Sequence, residues 1–255
     1  MDIGAIHQDM IDGLAHEAKA VLESGRLAEA MGAVPRHEFV ETDAPEAAYE
    51  DRAFEHRGTT VLAPSLVARL LEALDPEPGD DVLVVGAGVG YTAAVLAEIV
   101  GPRRVSAIDL SRPLVMDARR NLAAAGYEAV LVDRRDGAEG LPEYAPYDRI
   151  LVEAAATDPP EALRRQLAPG GRLVMPKGIP EQELVAVEGG DVVARHGAVR
   201  FKPLLVEGEQ TGGIERNRTA RENRERVADR GASRSGWERD WIDWDRARRP
   251  GSRSK

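Results

Sequence analysis

The 255-residue chain contains no cysteine, which excludes a disulfide framework, a thiolate zinc site and a cysteine nucleophile. No apolar run reaches the ~20 residues that a membrane-spanning helix needs. The first residues, MDIGAIHQDM, have neither the basic start nor the apolar segment of a signal peptide. We therefore expect a cytoplasmic protein that makes no contact with a membrane and holds no metal in its functional site.

Lysine is also scarce, since it accounts for four of the 34 basic residues, and 44 acidic residues outweigh them. The formal net charge of −10 opposes binding to nucleic acid, because phosphates require a positive field. An acidic excess with little lysine is typical of proteins kept soluble in concentrated salt, and a GC-rich genome is the alternative explanation. We predict no nucleic-acid partner.

The hydrophobic pattern alternates between helical and strand periods along the chain. Residues 4–31 predict two short helices separated near Ser24-Gly25, and residues 65–74 predict a third helix. Apolar, β-branched strands then alternate with helices, which predicts an α/β fold with a doubly wound, mostly parallel sheet. The predicted strands are residues 81–87, 104–110, 128–133, 147–154, 171–176, 183–189 and 199–208, and the predicted helices among them are residues 91–100, 113–126 and 159–170.

A glycine-rich turn, VGAGVGYT, follows the first of these strands. The dinucleotide fingerprint G-x-G-x-x-G needs its third glycine at position 91, where this chain has Tyr91. The turn therefore suits a nucleoside without bridging phosphates better than it suits NAD. Asp109 ends the next strand, 21 residues after Gly88, and can accept hydrogen bonds from both hydroxyls of a ribose.

A nucleoside that lacks phosphates but carries reactive chemistry suggests S-adenosyl-L-methionine. The alternative is that the glycines form a tight structural turn and bind nothing. The residues predicted to bind this cofactor are Gly86, Ala87, Gly88, Gly90, Asp109 and Leu110.

Several stretches occur together in the order found in one enzyme family. They are VPRHEFV, AYEDRAF, GTTVLAPSLVARLLEAL, VLVVGAGVGYTAAVLAEIVG, RDGAEGLPEYAPYDRILVEAAA, QLAPGGRLVMPKG and VRFKPLLVEGEQ. Over residues 5–211 the chain thereby resembles the protein-L-isoaspartate O-methyltransferase family. The resemblance implies a Rossmann-like, seven-stranded methyltransferase sheet with N-terminal helices, and S-adenosyl-L-methionine as donor. It implies as acceptors the carboxylates of L-isoaspartyl (D-aspartyl) residues in damaged proteins or peptides, whose methylation initiates repair.

The resemblance also implies roles for single residues. Gly86, Gly88 and Asp109 would hold the methionine and ribose parts of the donor. Asp136 and Gly137, in the stretch RDG, would lie along the adenine edge. The family's Q-T-I-S-x-P loop, which lies over the transferable methyl, corresponds to residues 59–64, where the catalytic candidates are Thr59, Thr60 and Leu62.

This chain departs from the family pattern at several positions. Leu62 stands at the place of the loop serine, and Thr59 stands at the place of the glutamine. Val84 stands where the first strand often carries an acid, and Arg135 replaces a glycine beside Asp136. A carboxylate acceptor is ionised at neutral pH and needs no general base, so catalysis depends on positioning. Losing one hydrogen bond to a charged group would lower the rate by roughly ten- to a hundredfold.

Neighbouring side chains offer compensation for the missing hydroxyl. Thr59 or Thr60 can take over part of its role, although threonine in a turn often bonds local backbone instead. Arg57 can pair with an acceptor carboxylate. We interpret His56 as an exposed loop histidine without a catalytic role. We expect Glu153 to face the cleft mouth, where it repels an acidic substrate or is simply solvated.

The end of the chain differs from the rest in composition. We predict a methyltransferase domain over residues 1–212 and a charged extension over residues 213–255. The extension contains all three tryptophans, Trp237, Trp241 and Trp244, whose spacing places them on one helical face. Such a face favours docking onto the protein's own body or a sister subunit, or else onto another protein. Two alternative functions stay open: methyl transfer to a different acceptor, and a catalytically weak donor-binding adaptor.

Overall fold

The computed structural model describes residues 2–16 and 21–205. Its helices are α1 (Ile3–Ala15), α2 (Gly25–Ala33), α3 (Pro64–Leu74), α4 (Tyr91–Val100), α5 (Arg112–Ala124) and α6 (Glu161–Arg165). Its strands are β1 (Phe54–His56), β2 (Thr59–Val61), β3 (Val82–Val85), β4 (Val105–Asp109), β5 (Leu131–Arg134), β6 (Tyr147–Val152), β7 (Leu167–Lys177), β8 (Gln182–Glu188) and β9 (Asp191–Val199). In the part of the chain that the structure describes, no helix is long and apolar enough to cross a membrane.

Seven strands form the main sheet in the order β5-β4-β3-β6-β7-β8-β9. The pairs from β5 to β7 are parallel, and β8 is antiparallel to both of its neighbours. The chain runs outward from β3 through β4 to β5 and then returns to β6 on the other side of β3. The carboxyl ends of β3 and β6 therefore form the topological switch point, where open α/β sheets bind their ligands. The predicted α/β fold, its mostly parallel sheet and its N-terminal helices are confirmed.

Strand β3 shows how the sequence builds this core. Side chains of a strand point alternately to its two faces. Val82 and Val84 belong to one hydrophobic cluster, and Leu83 and Val85 belong to a second cluster. All four side chains are buried, because helices or loops cover both faces of a parallel sheet.

The seventh strand lies at Asp191–Val199, and residues 200–205, the described part of the predicted strand beyond it, form only isolated bridges, so that prediction was wrong. Gly189 and Gly190 both have positive φ angles, of 58° and 95°, and form the two-residue turn that joins β8 to β9. Two glycines in succession are a hairpin signal. Strand β9 is the outer strand, and much of it is exposed, so its sequence lacks the continuous apolar run of the inner strands.

Two further predictions need correction. The predicted helix over residues 159–170 ends at Arg165, and the chain from Leu167 onward belongs to β7. The stretch before Pro64, for which no strand was predicted, contains the antiparallel hairpin of β1 and β2. Its turn consists of Arg57 and Gly58, which both have positive φ angles. The catalytic candidates Thr59 and Thr60 therefore lie on a strand and not in a loop.

Candidate active site at the switch point

The glycine turn after β3 has a backbone that residues with side chains rarely adopt. The φ angles of Gly86, Gly88 and Gly90 are 96°, 52° and 94°. The amides of Gly86 and Ala87 both donate to the carbonyl of Ile108, at 2.8 and 2.9 Å. These bonds fix the turn against the end of β4, and glycine removes the steric cost of the conformation.

Helix α5 supports the other side of this turn. A Cβ on Gly90 would lie 3.1 Å from Cγ of Leu122 and 3.4 Å from the carbonyl oxygen of Ala118. Asn121 donates from Nδ2 to the carbonyl of Val89 at 3.1 Å. The glycine at position 90 is therefore required by the close approach of α5 as well as by its φ angle.

Asp109 lies directly beside the turn. Its Oδ2 accepts a hydrogen bond of 3.1 Å from the amide of Gly88, and its Oδ1 accepts one of 2.9 Å from the amide of Ser111. Burial raises the pKa of the Asp109 carboxyl, and the backbone amides that it binds partly offset this rise. Both oxygens keep further acceptor capacity. The predicted pairing of the glycine turn with this carboxylate is therefore present.

The stretch RDG also reaches the switch point. The amide of Arg135 donates to the carbonyl of Asp109 at 3.1 Å, and Oδ1 of Asp136 accepts from the amide of Ala138 at 2.9 Å. A Cβ on Gly137 would lie 2.7 Å from Cγ1 of Val85. Gly137 thus packs against the end of β3 in a space that no larger residue fits. Leu110 follows Asp109 and is half-buried.

The hairpin of β1 and β2 carries the catalytic candidates. Thr59 pairs with His56, and Thr60 pairs with Glu55, whose Oε1 accepts a hydrogen bond of 3.2 Å from the Thr60 hydroxyl. Because side chains alternate along a strand, Thr60 points to the opposite face from Thr59. The two hydroxyls are therefore not equivalent as replacements for the missing serine.

His56 is buried, so the interpretation as an exposed histidine was wrong. Its Nε2 lies 2.9 Å from Oδ2 of Asp117 in α5, and Nε of Arg57 donates to the same oxygen at 2.7 Å. Arg120 lies 3.1 Å from Oδ1. Arg57 thus already has a carboxylate partner within the protein. Asp117 ties the hairpin to the helix that supports the glycine turn.

Asp117 is a functional candidate that sequence reasoning missed. It lies 61 residues from His56, and no local motif marks the pair. Burial pushes the pKa of the Asp117 carboxyl up, but hydrogen bonds from His56 and Arg57 and the nearby positive charges outweigh burial and hold that pKa below its usual value. The carboxylate therefore stays ionised at neutral pH.

Leu62 contributes its side chain to the larger hydrophobic cluster and is 9% exposed. Its carbonyl accepts a hydrogen bond of 2.7 Å from Nη2 of the buried Arg36. Leu62 therefore packs as a core residue at the end of the hairpin.

Glu153, at the end of β6, is not a solvated residue of the cleft mouth. Its amide donates to the carbonyl of Val85 at 2.8 Å, which places it beside the glycine turn. Its Oε1 is shielded from solvent and has no hydrogen-bond partner among the described residues. Burial raises the pKa of the Glu153 carboxyl to about 7, opposed by the Thr92 hydroxyl and reinforced by Asp109.

The described ranges, 2–16 and 21–205, contain no group of three or more His, Cys, Asp or Glu side chains arranged to hold a metal ion. The site consists of a glycine turn with positive φ angles, the carboxylate of Asp109 at the end of the next strand, and Gly137 packed against the end of β3. This arrangement at a switch point defines a nucleoside-binding α/β protein of the methyltransferase class.

Comparison with known proteins narrows the class to a family. A family model described as protein-L-isoaspartate(D-aspartate) O-methyltransferase matches residues 5–209. The protein-L-isoaspartate O-methyltransferase of Methanopyrus kandleri is 49% identical over 194 residues, covering 73% of this chain and 86% of that protein. That of Aeropyrum pernix is 46% identical over 195 residues, covering 73% and 75%. The chain belongs to the protein-L-isoaspartate(D-aspartate) O-methyltransferase family.

Two solved structures share this fold. A protein-L-isoaspartate O-methyltransferase structure that is 27% identical superposes with a TM-score of 0.71, covering 86% of this chain and 69% of that chain. A Plasmodium falciparum structure in complex with S-adenosyl-L-homocysteine shares the fold, with a TM-score of 0.68 at 22% identity, covering 78% of this chain and 97% of that chain.

Proposed function

We propose that this chain is an S-adenosyl-L-methionine-dependent O-methyltransferase. It methylates the carboxylate of L-isoaspartyl (D-aspartyl) residues in damaged proteins and so initiates their repair. The observation that carries the proposal is the hydrogen bond between Asp109 and the amide of Gly88, in a chain that belongs to this family. No observation on the described residues favours another acceptor or an adaptor without catalysis.

The residues at the switch point fit the donor. Gly86 and Gly88 leave room for the methionine part, and Asp109 offers free lone pairs to both ribose hydroxyls. Asp136 and Gly137 would line the adenine edge, with Ala87, Gly90 and Leu110 completing the surface. When bound, S-adenosyl-L-methionine supplies a methyl group that its sulfonium already activates.

The protein's task is then to position the acceptor. The carboxylate of an isoaspartyl residue is ionised at neutral pH, so the site needs no general base. The hairpin supplies Thr59 and Thr60, while Leu62 adds apolar surface where a hydroxyl would help. We propose that Thr60 supplies part of the missing hydrogen bonding by exchanging its bond to the exposed Glu55 for one that it donates to the acceptor carboxylate.

The domain boundary, the extension and the cellular location belong to this proposal. Residues 1–212 would form the catalytic domain, which the family match to residues 5–209 supports. Trp237, Trp241 and Trp244 lie outside the described residues, and their role in self-association or partner binding stays a prediction. The cytoplasmic location likewise stays a prediction.

Radiolabelled S-adenosyl-L-methionine tests the proposal when it is incubated with the protein and an isoaspartyl peptide, beside the matching aspartyl peptide. We expect a base-labile methyl ester on the isoaspartyl peptide alone. If calorimetry detects donor binding and neither peptide is labelled, the repair function is wrong.

A variant links this activity to the site. Asp109→Asn should weaken binding of S-adenosyl-L-homocysteine by about ten- to a hundredfold, because a charged acceptor is lost. The matched control is Asp133→Asn on the neighbouring strand β5, where the carboxylate pairs with Arg119 and Arg135. Equal losses in both variants would contradict the role of Asp109.

A further inference from the structure

Glu153 has one shielded carboxyl oxygen, Oε1, without a hydrogen-bond partner among the described residues. It follows β6 directly and lies one residue beyond the pair Val85 and Val152. A Cβ on Gly86 would lie 3.4 Å from Cβ of Glu153, so the glutamate side chain starts beside the first glycine of the turn. Its backbone amide bonds the end of β3. The side chain thus enters the switch point from the strand opposite Asp109.

The surroundings of this carboxyl are unfavourable for a negative charge. Among residues 2–16 and 21–205, no basic side chain acts on Glu153, and Oε1 lacks a donor there. The groups that act on it are the Thr92 hydroxyl in α4 and the Asp109 carboxylate at the end of β4. Strand β3 contributes four valine and leucine side chains and no titratable group. A buried acceptor without a donor costs stability, so a ligand that supplies the donor would remove that cost.

The proposed donor offers two positive groups to such a carboxyl. One is the sulfonium, which has charge but no N–H. The other is the α-ammonium of the methionine part, which has charge and three N–H donors. The α-ammonium suits the unpartnered carboxylate oxygen of Glu153 better than the sulfonium does. It can donate a charge-assisted hydrogen bond to that oxygen and also neutralise the carboxylate's charge.

We infer that Glu153 binds the α-ammonium of the methionine part of the donor. Asp109 would then bind the ribose, and Glu153 the amino-acid end, of the same ligand. This inference rests on the proposed function. Glu153 is then a specificity-determining residue, which distinguishes nucleosides that carry the amino-acid group from those that lack it.

Three ligands separate the possible contacts, and the full chain is used for all of them. S-adenosyl-L-methionine carries the sulfonium and the ammonium, S-adenosyl-L-homocysteine carries the ammonium alone, and methylthioadenosine carries neither. Titration calorimetry at pH 8 compares the unaltered chain with Glu153→Gln. We expect the variant to bind the first two ligands about ten- to a hundredfold more weakly and methylthioadenosine equally well.

The outcomes are distinguishable. Equal affinity of Glu153→Gln and the unaltered chain for S-adenosyl-L-homocysteine overturns the inference and leaves the proposed function intact. A loss confined to S-adenosyl-L-methionine would assign the glutamate to the sulfonium and also overturns it. If no ligand binds the unaltered chain, the proposed function itself fails. Glu161→Gln on α6, an exposed ion-paired glutamate, is the matched control and should change nothing.

Stability of the ligand-free protein provides a second readout. Burial raises the pKa of Glu153 from 4.5, its value in the unfolded chain, to about 7 in the folded protein. Ionised Glu153 therefore destabilises the fold as pH rises above 4.5, and this destabilisation is complete above about pH 7. Glu153→Gln should therefore melt at a higher temperature than the unaltered chain at pH 8, with the gap closing as pH falls. A lower melting temperature of the variant at pH 8 would show a structural role and would overturn the inference.

Discussion

The carbonyl oxygen of Leu62 accepts a hydrogen bond of 2.7 Å from Nη2 of Arg36, whose side chain is fully buried. Arg36 also donates from Nε to the carbonyl of Ala48, and its guanidinium lies 4.8 Å from the ring centroid of Tyr91. Tyr91 is the first residue of the helix that follows the glycine turn. One buried arginine therefore holds the backbone at position 62 and contacts the helix of the donor turn, whatever side chain position 62 carries.

Because the backbone is held in this way, Leu62→Ser should present a hydroxyl without moving the segment. We expect turnover on an isoaspartyl peptide to rise by about tenfold or more relative to Leu62→Ala, since a hydrogen bond to the acceptor carboxylate becomes possible. Leu62→Ala is the matched control, because both variants remove the same buried side chain. Steady-state kinetics with a fixed donor concentration measures the ratio.

Stability must be measured alongside, because both variants leave a cavity in the hydrophobic cluster. Truncating a buried leucine costs about 2–5 kcal/mol of unfolding free energy. Assays are therefore run well below the melting temperature of the weaker variant. Equal turnover of the serine and alanine variants would mean that Thr60 already provides the hydrogen bond, or that position 62 does not face the acceptor.

Asp117 should connect the hairpin to donor binding and catalysis. In Asp117→Asn the cations of Arg57 and Arg120 lose their shared carboxylate, and the unfolding free energy should fall by about 1–3 kcal/mol. Because the hairpin carries Thr59 and Thr60, we expect kcat/KM for the peptide to fall more than the affinity for S-adenosyl-L-homocysteine. Denaturation and kinetics on the same preparation measure both effects.

Arg120→Gln is the control for this variant. The arginine is 67% exposed, and an exposed partner of an ion pair contributes about 0–1 kcal/mol. An Asp117→Asn variant that matched Arg120→Gln in both assays would show that the buried carboxylate does not hold the hairpin.

The same carboxylate predicts a dependence of stability on pH. The folded pKa of Asp117 lies below its unfolded value, which is about 3.9, so its ionised form stabilises the fold. That contribution is complete above the unfolded pKa and is lost as pH falls through the folded pKa. The difference in unfolding free energy between the unaltered chain and Asp117→Asn should be present above about pH 5 and shrink below about pH 4. A difference that grew on acidification would contradict the direction of the shift.

The features that could be predicted from the sequence are those set by local hydrophobic periodicity and by the backbone preferences of single residues. Helix α4 matched its predicted range, and Gly88 and Asp109 lie together as expected, because strand period and glycine conformation are visible in the residues themselves. The hairpin of β1 and β2 was not predicted, because a strand of three residues is too short to show the alternating hydrophobic pattern of a strand. Its turn at Arg57-Gly58 was the available signal.

Burial was the property that the sequence could not supply. Histidine and glutamate are usually exposed, yet His56 is buried and Glu153 has a carboxyl oxygen shielded from solvent. Their partners, Asp117 and the end of β3, are distant in sequence. A single chain shows no pattern that pairs such residues, so these parts of the site required the structure.

The glycine turn provides a fourth test through two matched substitutions. Gly90→Ala introduces a Cβ that would lie 3.1 Å from Leu122, at a φ of 94°. Gly79→Ala has the same conformational cost, with a φ of 90°, but meets no atom within 4 Å. Each should lose about 1–2 kcal/mol of stability from the left-handed backbone. Only Gly90→Ala should also lose donor affinity, measured by calorimetry, and equal affinity in both would contradict a binding role for the turn.

The extension offers the last test, because every tryptophan of the chain is in residues 213–255. A chain that ends at residue 212 should keep its turnover and its affinity for S-adenosyl-L-homocysteine, since the proposed site lies wholly within the remaining residues.

Intrinsic tryptophan emission of the full chain reports on the extension alone. If the tryptophans dock onto the protein's own body, their emission should be blue-shifted and resistant to iodide at every protein concentration, because docking buries each ring. Resistance that appears only at high concentration, together with a larger particle in light scattering, would indicate a sister subunit instead. Loss of turnover on truncation would contradict the proposed boundary, and the extension would then have to be counted as part of the catalytic domain.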